Sequence, residues 1–377
     1  MTSERPAQPD DGVWMRRALA LAARGWGQTA PNPMVGAVVV RDGAVVGEGW
    51  HTRYGEAHAE VEALRAAGDQ ARGATVYVSL EPCNHHGKTP PCTDALLAAG
   101  VRRVVVATAD SSPVAAGGAD RLRAAGVEVA IGVEELAARE LNAAFFHAIT
   151  SNRPFVQLKL ALSLDGALAD HTREPGWLTG KAARREVHRL RAGADAVAVG
   201  IGTVLADDPM LTVRDVPPPR VPPTRVVFDT SARLPRSSRL ASSVRDAPVV
   251  DVCWAPDPAH AAALEHLGVS LVHAATLSGA LSQLRERGIR SLLVEGGAAL
   301  ATAFLQEALV DRLIIFRAPL ILGAGALPAF GALPAERAEA AARWRVVHAE
   351  RFGDDEMTIY APPVRGGGSY LNVHRAD

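Results

Sequence analysis

Two cysteines nine positions apart, Cys83 and Cys92, close the segment E-P-C-N-H-H-G-K-T-P-P-C (81–92), and the triplet H-A-E (58–60) precedes them. One imidazole and two thiolates suit zinc and leave its fourth tetrahedral position open to water. Structural zinc sites are normally closed by four protein ligands, so three ligands with an acid nearby point to catalysis. Glu60 is that acid. From the first turn of a helix it can take a proton from a metal-activated water and pass it to a leaving nitrogen. The residue types alone leave other readings open. The cysteines could form a disulfide or be isolated thiols, and His85 and His86 stand between them as rival ligands.

These side chains need elements to hold them. The first half alternates helix and strand patterns: a helix over 14–24, a hairpin over 35–47 turning at Asp42-Gly43, a helix over 58–67 and a strand over 74–80. A helix over 94–99, a strand over 102–108 and one long helix over 134–149 follow. His58 and Glu60 thus open a helix, Cys83 follows a strand, and Cys92 precedes a helix, whose N-terminus favours thiolate. T-S-N-R-P (150–154) is a polar, proline-ended break, which predicts domains over 1–152 and 153–363, with a disordered tail at 364–377. In the second half strands are expected at 155–161, 195–199, 225–229, 248–252 and 291–295, with a helix near 181–191. The last strand runs into a glycine turn and another helix. The proline-rich 216–223 reads as a surface loop. Strands separated by helices predict layered α/β domains.

Composition narrows the class. The chain has 377 residues, 48% hydrophobic and 21% charged, with a formal net charge of −1. That charge gives no reason to expect a nucleic-acid partner. No apolar run approaches the length of a membrane span, so no membrane association is expected. The opening residues lack the apolar core of a secretory signal, and three cysteines are too few for a disulfide scaffold, so a reducing, cytoplasmic setting is expected.

The generic zinc nucleobase deaminase carries H-x-E and then P-C-x-x-C, with the glutamate outside the metal shell. Here the second cysteine comes after eight intervening residues. P-N-P-M-V-G (31–36), G-W-H (49–51), H-A-E and the 81–92 loop together resemble the bifunctional riboflavin-biosynthesis deaminase–reductase family, over about 14–362. The resemblance implies a cytidine-deaminase-like three-layer α/β/α domain followed by a dihydrofolate-reductase-like α/β domain. It implies Zn2+ on His58, Cys83 and Cys92, Glu60 as proton shuttle, and substrate contacts from Asn32, His51 and Lys88. The family's D-P-N-P appears here as D-S-S-P (110–113), which puts Ser112 in the place of a substrate-contacting asparagine. The implied substrate is a small phosphorylated pyrimidine, a diaminopyrimidinone bearing ribosylamino 5′-phosphate. Lys88 would meet its sugar-phosphate, and one phosphate needs only one or two well-placed cations.

The reductase half is carried by L-K-L-A-L-S-L-D-G (158–166), R-A-G-A-D-A-V-A-V-G-I-G-T-V-L-A-D-D-P-M-L-T-V-R (191–214) and E-G-G (295–297). Glycines at a strand–helix turn let backbone approach pyrophosphate at a helix N-terminus. The resemblance implies NADPH reducing the ribosyl group to ribityl. Its cofactor site would use Ala161, Trp177, Thr203, Asp207, Thr230 and the run Gly297, Ala298, Ala299, Leu300, Ala301, Thr302 and Ala303. Arg191, Leu211, Arg214 and Glu295 would line the substrate site, two arginines gripping the phosphate. The family's G-E-S-x-W reads R-E-P-G-W (173–177), so Pro175 replaces a serine expected to touch substrate. No residue here stands out as acid or base. Cys253 reads as a packed thiol, and the histidines at 188, 260, 266 and 273 as surface or core residues. A nucleic-acid deaminase and a metal-stabilised scaffold are the rival functions. A homo-oligomer is compatible with the sequence, which does not fix the oligomeric state.

Overall fold

The computed structural model describes residues 10–112, 115–174, 176–333, 341 and 343–363; Pro175 and the tail 364–377 lie outside them. Contacts divide the chain into two compact units, Met1–Pro154 with Pro217–Pro222, and Phe155–Val216 with Pro223–Asp377.

The first unit contains α1 (Asp11–Ala22), β1 (Gly36–Arg41), β2 (Ala44–Trp50), α2 (Ala59–Ala67), β3 (Thr75–Val78), α3 (Cys92–Ala99), β4 (Arg103–Val106), α4 (Gly118–Ala124), β5 (Glu128–Ile131), α5 (Glu135–Leu141) and α6 (Ala143–Thr150). Its five-stranded sheet runs β2-β1-β3-β4-β5, with β1 antiparallel to both neighbours and β3, β4 and β5 parallel. The hairpin turns where the sequence places it, with Asp42 and Gly43 both at positive φ, as a tight two-residue turn demands. On one face Ala63 and Leu64 of α2, Leu96 of α3 and Leu122 of α4 pack on Val39, Val76 and Val104. On the other, Met15, Ala18 and Leu21 of α1 and Ala138 of α5 pack on Val38, Tyr77 and Val105. These are the expected three layers.

The helix carrying Glu60 lies close on β2 because Gly47 and Gly49 have no side chain. A Cβ on either would fall 2.3 or 2.4 Å from the backbone of Ala63. The expected single helix over 134–149 is instead two. It breaks at Asn142, whose side chain accepts from Met34 N at 2.8 Å and donates to Met34 O at 2.9 Å. Helical propensity yields there to a tie that anchors the segment leading into β1. The unit also has α4 and β5, which the periodicity did not signal.

The second unit contains β6 (Phe155–Leu162), β7 (Ala167–Ala169), α7 (Lys181–Ala192), β8 (Ala196–Gly200), α8 (Ile201–Asp207), β9 (Thr224–Phe228), α9 (Arg239–Ser242), β10 (Val249–Cys253), α10 (Pro258–His266), β11 (Ser270–His273), α11 (Leu277–Glu286), β12 (Ser291–Val294), α12 (Ala298–Gln306), β13 (Arg312–Arg317), β14 (Leu327–Pro328), β15 (Arg345–Phe352) and β16 (Asp355–Ala361). Nine strands form one sheet, β11-β10-β9-β8-β12-β6-β13-β16-β15, parallel through β13 and antiparallel over the last two. From β8 the chain winds outward through β9, β10 and β11, then returns to insert β12 between β8 and β6. That reversal makes the carboxyl ends of β8 and β12 a topological switch point, and at such points open α/β sheets bind ligands in a crevice.

Candidate active sites

His58 is the N-cap of α2 with extended backbone (φ −75°, ψ 160°), so its ring projects past the helix end. Cys83 follows β3 and Cys92 begins α3; both are buried and neither forms a disulfide. His58 Nδ1 lies 3.2 Å from Cys92 Sγ and 3.5 Å from Cys83 Sγ, and Cys92 N donates to Cys83 Sγ at 3.3 Å. All three ligand atoms fall within 4.8 Å of one another. This soft donor set fits zinc, with the histidine presenting Nδ1. Neither His85 nor His86 belongs to the cluster, although His85 lines the adjacent cavity.

The electrostatics match. The Cys92 thiol, then His58 and the Cys92 amide, hold the Cys83 thiol down to about 4. Cys92 is pushed up by sharing its proton with Cys83 and by burial. Glu60 is 3% exposed, and burial pushes its carboxyl above the ordinary range, as suits a group that must hold a proton.

A cavity of about 290 Å³ opens beside the cluster and is lined by Asn32, His51, His58, Glu60, Cys83, Lys88 and Ser112. His51 Nδ1 faces the Ala57 carbonyl at 3.2 Å and can only donate there. Burial lowers its pKa, so the ring is neutral and Nε2 must accept. Asn32 Nδ2 faces that nitrogen at 3.4 Å, which orients the amide. Ser112 N donates to Asp110 Oδ1 at 2.8 Å. Sequence reasoning missed the device behind this loop. Glu81 accepts from Asp110 N, Gly117 N and Ala119 N at 3.1, 3.2 and 2.9 Å, tying the segment of Ser112 to that of Cys83. Its place in E-P-C was the available signal. Tyr54, Asp110 and Phe145 also line the cavity and had none.

In the second unit Glu295 follows β12. Arg191 Nε and Nη2 donate to its two oxygens at 2.5 and 3.0 Å, and Arg191 Nη1 donates to Thr212 O at 2.9 Å. Three nitrogens of the guanidinium are therefore engaged within the protein. Arg214 is exposed, and its side chain has no ion pair among the described residues. His188, 8% exposed, accepts from Arg214 N at 3.2 Å through Nδ1, so it braces the segment between α8 and β9 instead of merely packing. The side chain of Leu211 belongs to the core with Val204, Val227 and Leu234, although its backbone sits at φ 52°. Lys159 on β6, which the sequence reading passed over, stands 3.9 Å from Glu295 Oε2, and burial lowers its pKa.

At the switch point Gly297 is the N-cap of α12 and no side chain caps that helix; the Thr203 hydroxyl lies 3.6 Å from where a Gly297 Cβ would stand. Uncapped N–H groups beside side-chain-free backbone fit a dinucleotide phosphate. Ala298, Ala299 and Leu300 form the first turn there, Leu300 packing against Gly200 and Gly296. Farther along, Ala301 is fully buried, and the Thr302 hydroxyl bonds Ala298 O and Gly331 N. Ala303 is half-buried behind them. Ala161 lies near the end of β6, and Asp207 closes α8. The Thr230 carbonyl accepts from Trp254 N and Ala255 N. Trp177 is 74% exposed under the Arg184 guanidinium, 5.1 Å from its ring centroid.

Comparison with known proteins follows the same division. Residues 9–108 match the model of the cytidine and deoxycytidylate deaminase zinc-binding region, and residues 154–358 match the RibD C-terminal domain. The riboflavin biosynthesis protein RibD of Aquifex aeolicus is 44% identical over 353 residues, 93% of this chain and 98% of that protein. The structure of Acinetobacter baumannii RibD superposes with a TM-score of 0.81 at 40% identity, covering 94% of this chain and 99% of that one. That of the Thermotoga maritima diaminohydroxyphosphoribosylaminopyrimidine deaminase/5-amino-6-(5-phosphoribosylamino)uracil reductase gives 0.81 at 37%, covering 93% and 98%. With both halves matched and nearly the whole length aligned, the chain belongs to the RibD family of riboflavin-biosynthesis proteins, a zinc-dependent deaminase and a reductase joined in one polypeptide.

Proposed function

We propose that residues 1–152 deaminate 2,5-diamino-6-(5-phosphoribosylamino)pyrimidin-4(3H)-one and that residues 153–363 then reduce its ribosyl group with NADPH, giving 5-amino-6-(5-phosphoribitylamino)uracil. The single observation that carries this reading is the convergence of His58, Cys83 and Cys92 with buried Glu60 on a cavity that also holds Asn32, His51 and Lys88.

His58 Nδ1 and the two thiolates would hold zinc, which would supply a water acidic enough to attack at neutral pH. Glu60 would accept a proton from the attacking water and deliver it to the departing ring amine, which leaves as ammonia. Asn32, its amide oriented by His51, reads the polar edge of the pyrimidine. Ser112 offers a hydroxyl where the family's usual asparagine would stand. Lys88 meets the sugar phosphate.

In the second unit NADPH supplies the hydride when bound. The first turn of α12 and Thr203 would take its phosphates, and Ala161, Trp177, Asp207 and Thr230 would supply further contacts. Arg214 and the backbone near Leu211 hold the substrate, while Glu295 and Arg191 fix Lys159 as a proton donor or acceptor at the opening sugar. Buried reduced thiols at a metal site fit the cytoplasm.

The test supplies the diaminopyrimidinone ribosylamino phosphate to zinc-loaded protein, with and without NADPH. Ammonia release without NADPH, and NADPH oxidation only after deamination, are expected. A protein that releases no ammonia would refute the dual activity.

A further inference from the structure

Two cations share one ring at the rim of the cavity. Lys88 Nζ lies 4.1 Å from the centroid of Tyr54, and Arg220 Cζ lies 5.0 Å from it. Lys88 comes from the loop between the two cysteines. Arg220 comes from the proline-rich stretch Pro217–Pro222, which its contacts assign to the first unit despite its distance along the chain.

That stretch is built in. Arg220 N donates to Gly27 O at 2.8 Å, Arg220 Nη2 donates to Ala30 O at 2.6 Å, and Gln28 Nε2 donates to Pro218 O at 2.9 Å. Tyr54 N donates to Gln28 O at 3.1 Å, so the ring and the arginine hang from the same short segment. Two residues beyond Ala30 comes Asn32 in the cavity wall. Prolines on both sides of Arg220 restrict φ, which reduces the entropy lost in holding the arginine in one place. Two like charges beside one ring repel, and the ring's negative face offsets part of that repulsion. An anion arriving at Lys88 removes the rest. The arrangement thus favours a doubly charged group at this rim over a neutral one.

We propose that Arg220 is a positioning residue for the deaminase: it clamps Tyr54, Tyr54 sets where Lys88 waits, and the pair of cations selects a phosphorylated sugar. This rests on the deaminase reading above and adds to it the residues that decide the phosphate side of the pocket. Neither residue belongs to the cysteine–histidine–glutamate signature.

The test uses full-length, zinc-loaded Arg220→Ala, Tyr54→Leu and the double variant beside the wild type. Each is measured for ammonia release from the phosphorylated substrate and for NADPH oxidation with the deaminated intermediate. Each single variant should raise the deaminase KM roughly tenfold, the scale of one cation–π contact, with kcat within about twofold. Reductase constants should stay unchanged. The double variant should be no worse than the poorer single, since both act through one ring. An unchanged KM in Arg220→Ala, or additive losses in the double variant, overturns the proposal. A wild type that releases no ammonia overturns the deaminase reading instead. Should Arg220→Ala lose zinc and reductase activity together, Tyr54→Leu carries the test alone, and its unchanged KM overturns the proposal.

Discussion

Arg191 and Glu295 form a two-pronged ion pair, Nε on Oε1 at 2.5 Å and Nη2 on Oε2 at 3.0 Å, at the carboxyl end of β12. Burial alone would raise the pKa of Glu295, but Arg191 and Lys159 outweigh it and hold the carboxylate at about 2. A depressed folded pKa contributes stability that is complete above the ordinary value of 4.5 and lost as pH falls through about 2. The shift corresponds to on the order of 3 kcal/mol. Glu295→Gln should destabilise the protein at pH 7 by about 3 to 5 kcal/mol, because two buried cations lose their counter-charge. Guanidinium unfolding of both proteins between pH 3 and 7 should show the variant with the flatter acid limb. Parallel limbs would mean that the pair does not set the acid stability.

Glu60→Gln should keep zinc and lose deaminase kcat by about 10²- to 10⁴-fold, the range of one positioned acid–base group. Turnover of the deaminated intermediate with NADPH should be untouched. Metal analysis beside the two rate measurements decides the point. A variant that arrives without zinc would make Glu60 a ligand.

If exposed Arg214 holds the substrate phosphate as proposed, Arg214→Ala should raise the reductase KM for its phosphorylated substrate about tenfold. The KM for NADPH should move much less. His188→Leu should act in the same direction with smaller effect, because it removes the acceptor for Arg214 N. A change confined to NADPH would place Arg214 on the cofactor instead.

Most of the catalytic outline was legible because it is local. H-A-E opens α2, E-P-C follows β3 and Cys92 opens α3, junctions where position along the chain already decides direction in space; the structure brings the three ligand atoms within 4.8 Å of one another, with Glu60 on the adjoining cavity. Less legible was whatever depends on long-range partners. The break at Asn142 is set by Met34, 108 residues away, and no helical periodicity records that. The commitment of Arg191 to Glu295 spans 104 residues, so spacing could name both as substrate ligands without showing that they bind each other. Lys159 sits at one of the less buried, alternating positions of β6, which spacing alone does not mark as functional. Its proximity to Glu295 comes from the register of β6 beside β12, a pairing fixed only when the chain returns from β11.

Asp251 supplies a stability prediction of opposite sign. It lies on β10 with no exposed surface, and both carboxylate oxygens lack a hydrogen-bond partner among the described residues. Burial first, and then the neighbouring Asp229 charge, push its pKa up to about 8. Asp229 is itself buried, with Oδ1 facing Arg233 Nε at 3.3 Å, so no cation is left over for Asp251 in that pair. A folded carboxyl with a raised pKa holds a proton that the unfolded chain releases, so stability falls as pH rises from about 4 to about 8. Asp251→Asn is neutral throughout and lacks this penalty. Its stability relative to the wild type should therefore climb with pH across that window, by up to about 1.4 kcal/mol per pH unit. Thermal or guanidinium unfolding of the two proteins at pH 5, 6, 7 and 8 measures the slope. A constant difference across those points would show that Asp251 is already ionised in the folded protein, with a cation or ordered water inside the sheet to receive it.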